Sequence, residues 1–129
     1  MKTKLLTICL ILFTSQVFAE WEKIVVNTKG NSFYIDKSNI SRVKNKVYWW
    51  DLCNYKKRTD NGAYSFKSHN EGDCDLFRYK SFIQVWHDEK WGKGNIIEKY
   101  EDFKEDNMDW TYPKSPGIMY EILTEVCNR

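Results

Sequence analysis

The sequence predicts an α+β domain: an antiparallel β-sheet of about six strands with one C-terminal α-helix packed on one of its faces. Turn signals divide the chain into short segments rich in β-branched and aromatic residues, which is typical of strands. One of these segments alternates apolar and polar residues with a period of two. Apolar residues at helical spacing occur in the last segment. That helix must cover a sheet face, because a single sheet cannot bury its apolar side alone.

The first two strands are short and are expected to form a hairpin. We predict strands over 21–27 and 32–36, joined by a turn at Lys29-Gly30-Asn31. A polar break follows at 36–39, and Ile40 is expected to enter the core.

The middle of the chain is expected to contain a long aromatic strand, a short strand and the clearest period-two segment. The first spans 43–57 with a break at 44–46, and Asn61-Gly62 marks the turn after it. A short strand over 63–68 precedes a polar loop over 69–73. Strand 75–87 places Phe77, Tyr79, Ile83 and Val85 on one face, and Arg78, Lys80, Phe82, Gln84 and Trp86 on the other.

The C-terminal part is expected to end in the helix. A turn at Gly92-Lys93-Gly94 leads to a short strand over 95–99 and an acidic loop over 100–109. The helical stripe consists of Met119, Ile122, Leu123 and Val126. Ser115 is expected to cap this helix, with Pro116 at its first position.

The first 19 residues have the pattern of a cleaved export signal. Lys2 and Lys4 precede an apolar run over 5–13, and Ala19 provides a small residue at the cut. We therefore predict a signal peptide over 1–19 and a single domain over 20–129. The alternative is a retained anchor, but the apolar run is too short to span a bilayer comfortably.

The charge balance after this cut argues against several classes of function. Loss of Lys2 and Lys4 leaves 18 basic and 18 acidic side chains, a net charge of zero. Nucleic-acid binders need excess positive charge to neutralise phosphates, and electrostatic membrane binders need it for anionic lipids. We therefore expect no nucleic-acid partner, and no later apolar stretch is long enough for a transmembrane segment.

Three cysteines remain after the cut, so at most one intramolecular disulfide forms. Exported proteins keep disulfides, and three pairings are open. We favour Cys74 with Cys127, because this bridge ties down a chain end and closes a loop of about 50 residues, worth about 4 kcal/mol. Cys53 lies in a strand and is expected to be a small buried hydrophobe. The alternatives for Cys53 are an intermolecular disulfide or a reactive thiol.

No motif supports catalysis or metal binding. Cys53 and His87 would need a third group to orient the imidazole, and an oxyanion site. We expect His87 in an exposed turn and His69 in a loop. The carboxylates of Glu71, Asp73 and Asp75 lack the calcium-loop pattern. The prediction is a protein that is not an enzyme, with no catalytic residue, metal or cofactor.

Aromatic residues are the unusual feature of the composition, at 19 of the 110 residues after the cut. Trp49 and Trp50 are adjacent on a strand and must point to opposite faces. We hypothesise that the second sheet face contacts a partner protein or another copy through Phe82, Trp86 and one of Trp49 or Trp50. The alternative is that loops such as 100–112 cover this face.

A basic triplet provides a second candidate contact. Lys56, Lys57 and Arg58, flanked by Tyr55 and Tyr64, are candidates to engage a sulfated glycan or an acidic protein patch. The alternative is a solvated hairpin end.

An ordered set of residues resembles the surface-adhesin protein E family of small exported bacterial proteins. The set is Trp21, Phe33-Tyr34-Ile35-Asp36, Ile40, Leu52-Cys53-Asn54-Tyr55-Lys56, Cys74, Gly92-Lys93-Gly94, Trp110, Pro113, Ser115 and Cys127. The resemblance implies an antiparallel sheet packed on a helix, a Cys74–Cys127 bridge and a capacity to dimerise. It further implies binding of host matrix or serum proteins such as laminin or vitronectin.

The resemblance leaves the cellular location and the kind of partner open. The chain lacks a lipidation cysteine and has the additional Cys53. We expect a periplasmic or cell-surface protein that binds another protein. The alternatives are a periplasmic binding or inhibitor module and a structural envelope homodimer.

Overall fold

A computed structural model describes residues 18–103 and 109–129 of the 129-residue chain. Within these residues, seven strands form one antiparallel sheet, and a helix follows. The strands are β1 (Trp21–Val26), β2 (Ser32–Asp36), β3 (Ser41–Val43), β4 (Lys46–Asn54), β5 (Ser65–Asp73), β6 (Arg78–His87) and β7 (Ile96–Glu101), and the helix is α1 (Ile118–Cys127). The α+β prediction is confirmed. The predicted signal peptide depends on residues 1–17, which lie outside the described residues, so it stays a prediction.

The sheet has the order β1-β2-β4-β5-β6-β7. The short strand β3 also pairs with β4, on the same side of β4 as β2. β2 pairs with the end of β4, where Phe33 lies opposite Cys53, and β3 pairs with its start. The predicted break at 44–46 contains the turn between β3 and β4, in which Lys44 has a φ of 56°. This hairpin is the reason that the sheet has seven strands and not six.

The helix buries its apolar stripe against one sheet face, which we call the helix face. Ile122, Leu123 and Val126 of α1 form the core with Ile35, Val47 and Trp49 of the sheet. The predicted stripe is confirmed, with Met119 only half-buried at its end. Gly72 lets the helix approach β5 closely, because a Cβ there would lie 2.8 Å from a methyl carbon of Leu123. No helix among the described residues is long and apolar enough to cross a membrane.

Two contacts fasten the far end of the helix. Cys74, in the turn between β5 and β6, forms a disulfide with Cys127, which confirms the favoured pairing. The guanidinium of Arg42 on β3 donates hydrogen bonds to the carbonyl oxygens of Val126 and Cys127, at 3.4 and 2.5 Å. A cation at these carbonyls stabilises the helix C-terminus, where acceptors lack partners within the helix.

Several predicted boundaries are wrong. Residues 69–73, predicted as a loop, complete β5, and residues 75–77, predicted as strand, form the turn before β6. Phe77 in that turn has a φ of 50°, so it is not part of the extended strand. The helix begins after Gly117 without a side-chain cap, so Ser115 and Pro116 do not act as predicted.

A β-bulge in β6 divides its side chains between the faces differently from the prediction. His69 pairs with Ile83 and Asn70 pairs with Ser81, so Phe82 is the extra residue. An extra residue shifts the alternation by one position. Tyr79 before the bulge and Trp86 after it therefore share the helix face.

Candidate protein-binding face

A row of four rings crosses the sheet face opposite the helix, which we call the outer face. His69 of β5 stacks on Trp50 of β4, with ring centroids 4.8 Å apart and planes at 27°. Phe82 lies 6.3 Å from His69 and stacks on Phe103, also at 6.3 Å, with planes at 8°. We call Trp50, His69, Phe82 and Phe103 the outer aromatic row. The sequence prediction contained two of these residues, Trp50 and Phe82.

Strand alternation and the bulge position these rings. Trp49 is wholly buried under the helix, so Trp50 must point to the outer face, as predicted. The bulge directs Phe82 to the same face, where its ring contacts His69. Phe103, two residues beyond β7, is 64% exposed. The row is therefore half-buried at Trp50, His69 and Phe82 and solvent-exposed at its far end.

The row is apolar at its centre and flanked by lysine ammonium groups. Burial lowers the pKa of His69 below its usual value, so its imidazole is neutral at pH 7. The Nζ atom of Lys67 lies 5.4 Å from the Trp50 centroid, and that of Lys80 lies 5.2 Å from the Phe82 centroid. Lys80 also forms an ion pair with Glu71 at 2.9 Å. Aromatic residues are enriched at protein interfaces, whereas Lys is depleted there, so the rings and not the ammonium groups are the feature that indicates an interface.

A cleft of about 330 Å³ adjoins the row at Trp50. Trp21, Asp36 and Lys67 line it together with Trp50 and His69. The cleft therefore places an indole and an ammonium group beside the half-buried rings of Trp50 and His69, which is a mixed surface suited to a polypeptide. The Asp36 carboxylate is itself buried and accepts hydrogen bonds from Ser38 and Asn39.

The chain after β7 covers part of the outer face. The Trp110 ring lies over three cationic groups, those of Lys46, Arg78 and Lys80, at 4.5, 4.2 and 4.6 Å from its centroid. Thr111 forms backbone hydrogen bonds with Tyr79. The predicted alternative, in which loops within 100–112 cover this face, therefore applies at Trp110. Residues 104–108 of that loop lie outside the described residues.

Trp86 does not join Phe82, so the prediction that they share a face is wrong. The Trp86 ring packs on Phe66 of β5 on the helix face, with centroids 4.7 Å apart, and its indole N–H donates a hydrogen bond to the hydroxyl of Tyr55. The bulge is the physical reason, because its extra residue shifts the alternation of side chains between the two faces by one position. Phe82 and Trp86 therefore point to opposite faces.

The basic triplet lies in the β4–β5 connection, and its three side chains are exposed. The Arg58 guanidinium stacks on Tyr64 at 4.4 Å and donates a hydrogen bond to the carbonyl of Gly62 at 2.9 Å. Lys57 and Arg58 border an open groove of about 580 Å³ with Lys29 and Tyr55. Arg58 is therefore held in place, whereas no such contact holds Lys57 within the described residues.

The residues considered for catalysis are not assembled into a site. Cys53 is buried on the helix face, as predicted, and burial, followed by the negative charge of Asp51, raises its pKa to about 12. His87 is buried and not in an exposed turn as predicted. Strand alternation places His87 on the outer face with Val85, whereas Cys53 lies on the helix face. Burial, followed by the charge of Lys67, lowers its pKa.

Two of the three carboxylates considered for metal binding, those of Asp73 and Glu71, are engaged by the chain itself, whereas Asp75 is exposed. Asp73 forms ion pairs with Lys46 and Arg78 at 3.6 and 3.1 Å. Glu71 accepts a hydrogen bond from the hydroxyl of Tyr48 at 2.8 Å, in addition to its ion pair with Lys80. These contacts make both side chains part of the outer-face charge network.

Comparison with known proteins identifies the relatives of this fold. A family model described as Surface-adhesin protein E matches residues 21–128. Crystal form II of Haemophilus influenzae protein E is similar over 88% of this chain and 91% of that chain, with a TM-score of 0.63 and 17% identity. Protein E from non-typeable Haemophilus influenzae is similar over 88% and 79%, with a TM-score of 0.60 and 17% identity. At such identities the structures share a fold. No functionally curated protein matches the sequence significantly.

Proposed function

We propose that this chain, which belongs to the surface-adhesin protein E family, is an exported, non-catalytic domain that binds proteins through its outer aromatic row. The observation that carries the proposal is the row itself, in which Trp50, His69 and Phe82 lie half-buried on the sheet and Phe103, beyond β7, is exposed. Family membership supports an adhesive role, and host matrix or serum proteins such as laminin or vitronectin are the proposed partners.

The geometry of the row supports protein binding for energetic reasons. Large rings bury much apolar area on contact, and their rotamers lose little entropy when they are already stacked. Trp is among the residues that dominate interface energies. Trp50 combines such a ring with Lys67 beside it, so this part of the row is proposed as the centre of the contact.

The basic triplet is proposed as a secondary contact. Its exposed cations attract an acidic partner surface, an effect that acts on the association rate more than on affinity. Salt should therefore slow the association, whereas it should change the contribution of Trp50 little.

The decisive experiment compares two tryptophans on opposite faces. Purified Trp50→Ala and Trp86→Ala variants are tested on immobilised laminin and vitronectin, with circular dichroism to confirm folding. We expect Trp50→Ala, and separately Phe82→Ala, to weaken binding by at least about tenfold, as loss of a central interface ring does. Trp86→Ala is the matched control and should bind like wild type. Equal losses for Trp50→Ala and Trp86→Ala would overturn the assignment of the binding face.

The cellular location of the protein distinguishes the proposed adhesive function from its alternatives. External protease is added to intact cells that carry the epitope-tagged protein and a periplasmic control. Degradation with the control intact supports surface adhesion. Protection until the outer membrane is opened favours a periplasmic binding or inhibitor module. A structural homodimer predicts self-association in sedimentation analysis that Trp50→Ala weakens, without any binding to matrix proteins.

A further inference from the structure

A cavity of about 210 Å³ lies on the helix face, between the sheet and α1. Its walls are largely apolar, with Phe33 and Phe66 from the sheet and Met119 and Ile122 from the helix. Phe33, Phe66 and Met119 are half-buried, so the cavity opens toward solvent on their side. It is separate from the outer aromatic row, which lies on the other face of the sheet.

A buried carboxylate, that of Asp51, forms part of this cavity. It accepts hydrogen bonds from the indole N–H of Trp49 at 3.2 Å, the amide of Asn70 at 3.0 Å and the hydroxyl of Ser68. Among residues 18–103 and 109–129, no Lys, Arg or His forms an ion pair with Asp51. The chain therefore builds a carboxylate site in its interior and supplies only neutral donors to it.

A buried carboxylate with only neutral donors is able to accept a cation as a further partner. Buried charges in proteins are normally paired, because removing a charge from water is costly. A carboxylate accepts about four hydrogen bonds, and the part of the chain that the structure describes supplies three. Ser81 and Gln84 also line the cavity and bring further oxygen atoms that can accept hydrogen bonds.

We propose that this cavity binds a small organic ammonium compound, with the ammonium group on the Asp51 carboxylate and an apolar ring between the walls formed by Phe66 and Met119. The volume supports a ligand of this size. A cavity of about 150 Å³ accommodates benzene, so 210 Å³ accommodates a ring with a short alkyl chain. The apolar walls favour the ring, and the carboxylate selects a cationic end. This inference does not depend on the proposed adhesive function.

The ionisation of the neighbouring groups agrees with this ligand class. Burial raises the pKa of Asp51 to about 6, against hydrogen bonds that act to lower it, so the carboxyl is mostly ionised at pH 7.5. The titratable groups that face it are Cys53 on β4 and Tyr79 on β6. Burial, followed by the Asp51 charge, raises the pKa of each. Both are neutral at pH 7.5, and α1 lines the cavity with Met119 and Ile122, which are uncharged.

The test uses two probes that differ in one group. 2-Phenylethylammonium and 2-phenylethanol share a ring and a two-carbon chain, and only the first carries a charge. Each is titrated into the purified protein at pH 7.5, and the NMR signal of the Trp49 indole N–H reports on the cavity. We expect saturable shifts with the ammonium probe and at least tenfold weaker binding of the alcohol. At pH 4.5, where Asp51 is protonated, binding of the ammonium probe should fall at least tenfold.

Variants distinguish binding inside the cavity from nonspecific attraction of cations to the protein. Asp51→Asn should abolish the preference for the ammonium probe. Gln84→Trp fills the cavity from its wall and leaves the three donors to Asp51 in place, so it should abolish binding even if Asp51→Asn fails to fold. Asp75→Asn removes an exposed carboxylate and should bind like wild type. Absence of saturable binding to wild type, equal binding of both probes or unchanged binding by Gln84→Trp would overturn the proposal.

Discussion

Ionisation of Asp51 should destabilise the folded domain, and Asp51→Asn should reveal by how much. The carboxyl is buried, and its pKa rises from 3.8 to about 6 on folding. The folded state therefore binds this proton more tightly than the unfolded state does. Stability from this group is present at low pH and is lost as the pH rises from about 4 to about 6.

The magnitude follows from the size of the shift. Each pKa unit corresponds to 1.36 kcal/mol, so a shift from 3.8 to about 6 corresponds to about 3 kcal/mol. Asparagine has nearly the same shape and no charge. Its oxygen is able to accept from Trp49 and Asn70, and its amide is able to donate to Ser68. The free energy of unfolding of Asp51→Asn, relative to wild type, should therefore grow by about 3 kcal/mol between pH 3.5 and pH 7.5.

Urea unfolding followed by tryptophan fluorescence measures this difference at a series of pH values. About half of the change should be complete at pH 5, because the two pKa values bracket that point. Asp75→Asn, at an exposed turn position, serves as the control and should show little change with pH. The reasoning would be refuted by a difference between Asp51→Asn and wild type that stays constant with pH or grows as the pH falls.

Two further predictions concern the cysteines. Replacing both Cys74 and Cys127 by serine should lower the free energy of unfolding by about 4 kcal/mol, because the bridge joins residues 53 positions apart. Urea titration measures this, and a reductant should lower the stability of wild type to the same level while leaving the variant unchanged. Cys53 should resist a thiol reagent at pH 8 until the protein is unfolded, because its thiol is buried and its pKa is about 12. The reaction is monitored by absorbance, and rapid labelling of Cys53 in the native protein would contradict this prediction.

Much of the fold was predictable because the core-forming residues follow simple periodicities. Helical spacing identified the buried stripe Ile122, Leu123 and Val126. Because Trp49 and Trp50 are adjacent on a strand, their side chains must point to opposite faces of the sheet. The bulge at Phe82 has no such signature, since a polar-apolar pattern shifted by one residue still reads as alternation. The prediction therefore placed Trp86 on the wrong face and, with it, part of the candidate binding surface.

The candidate site was only half predictable, because two of its rings come from segments that look like loops. His69 begins the polar segment 69–73, and Phe103 lies in an acidic stretch. Sequence reasoning looks for large apolar residues on strands, so it found Trp50 and Phe82. Detecting His69 required the register that places it between those rings, and detecting Phe103 required the fold of the chain after β7, which stacks it on Phe82.

Part of the polar character of β5 comes from the residues that hold the buried carboxylate. The helix-face residues of this strand include Ser68 and Asn70, both of which donate hydrogen bonds to Asp51. Asn70 in turn accepts a hydrogen bond from Ser81 of β6 at 2.5 Å. A strand that only supported a core would place apolar side chains at these positions. Here it holds a carboxylate beside a cavity, and burying polar groups is tolerated only when they are hydrogen-bonded. The network is therefore better explained by the need to hold Asp51 than by packing of the helix, which rests on Val47, Trp49 and Gly72 instead.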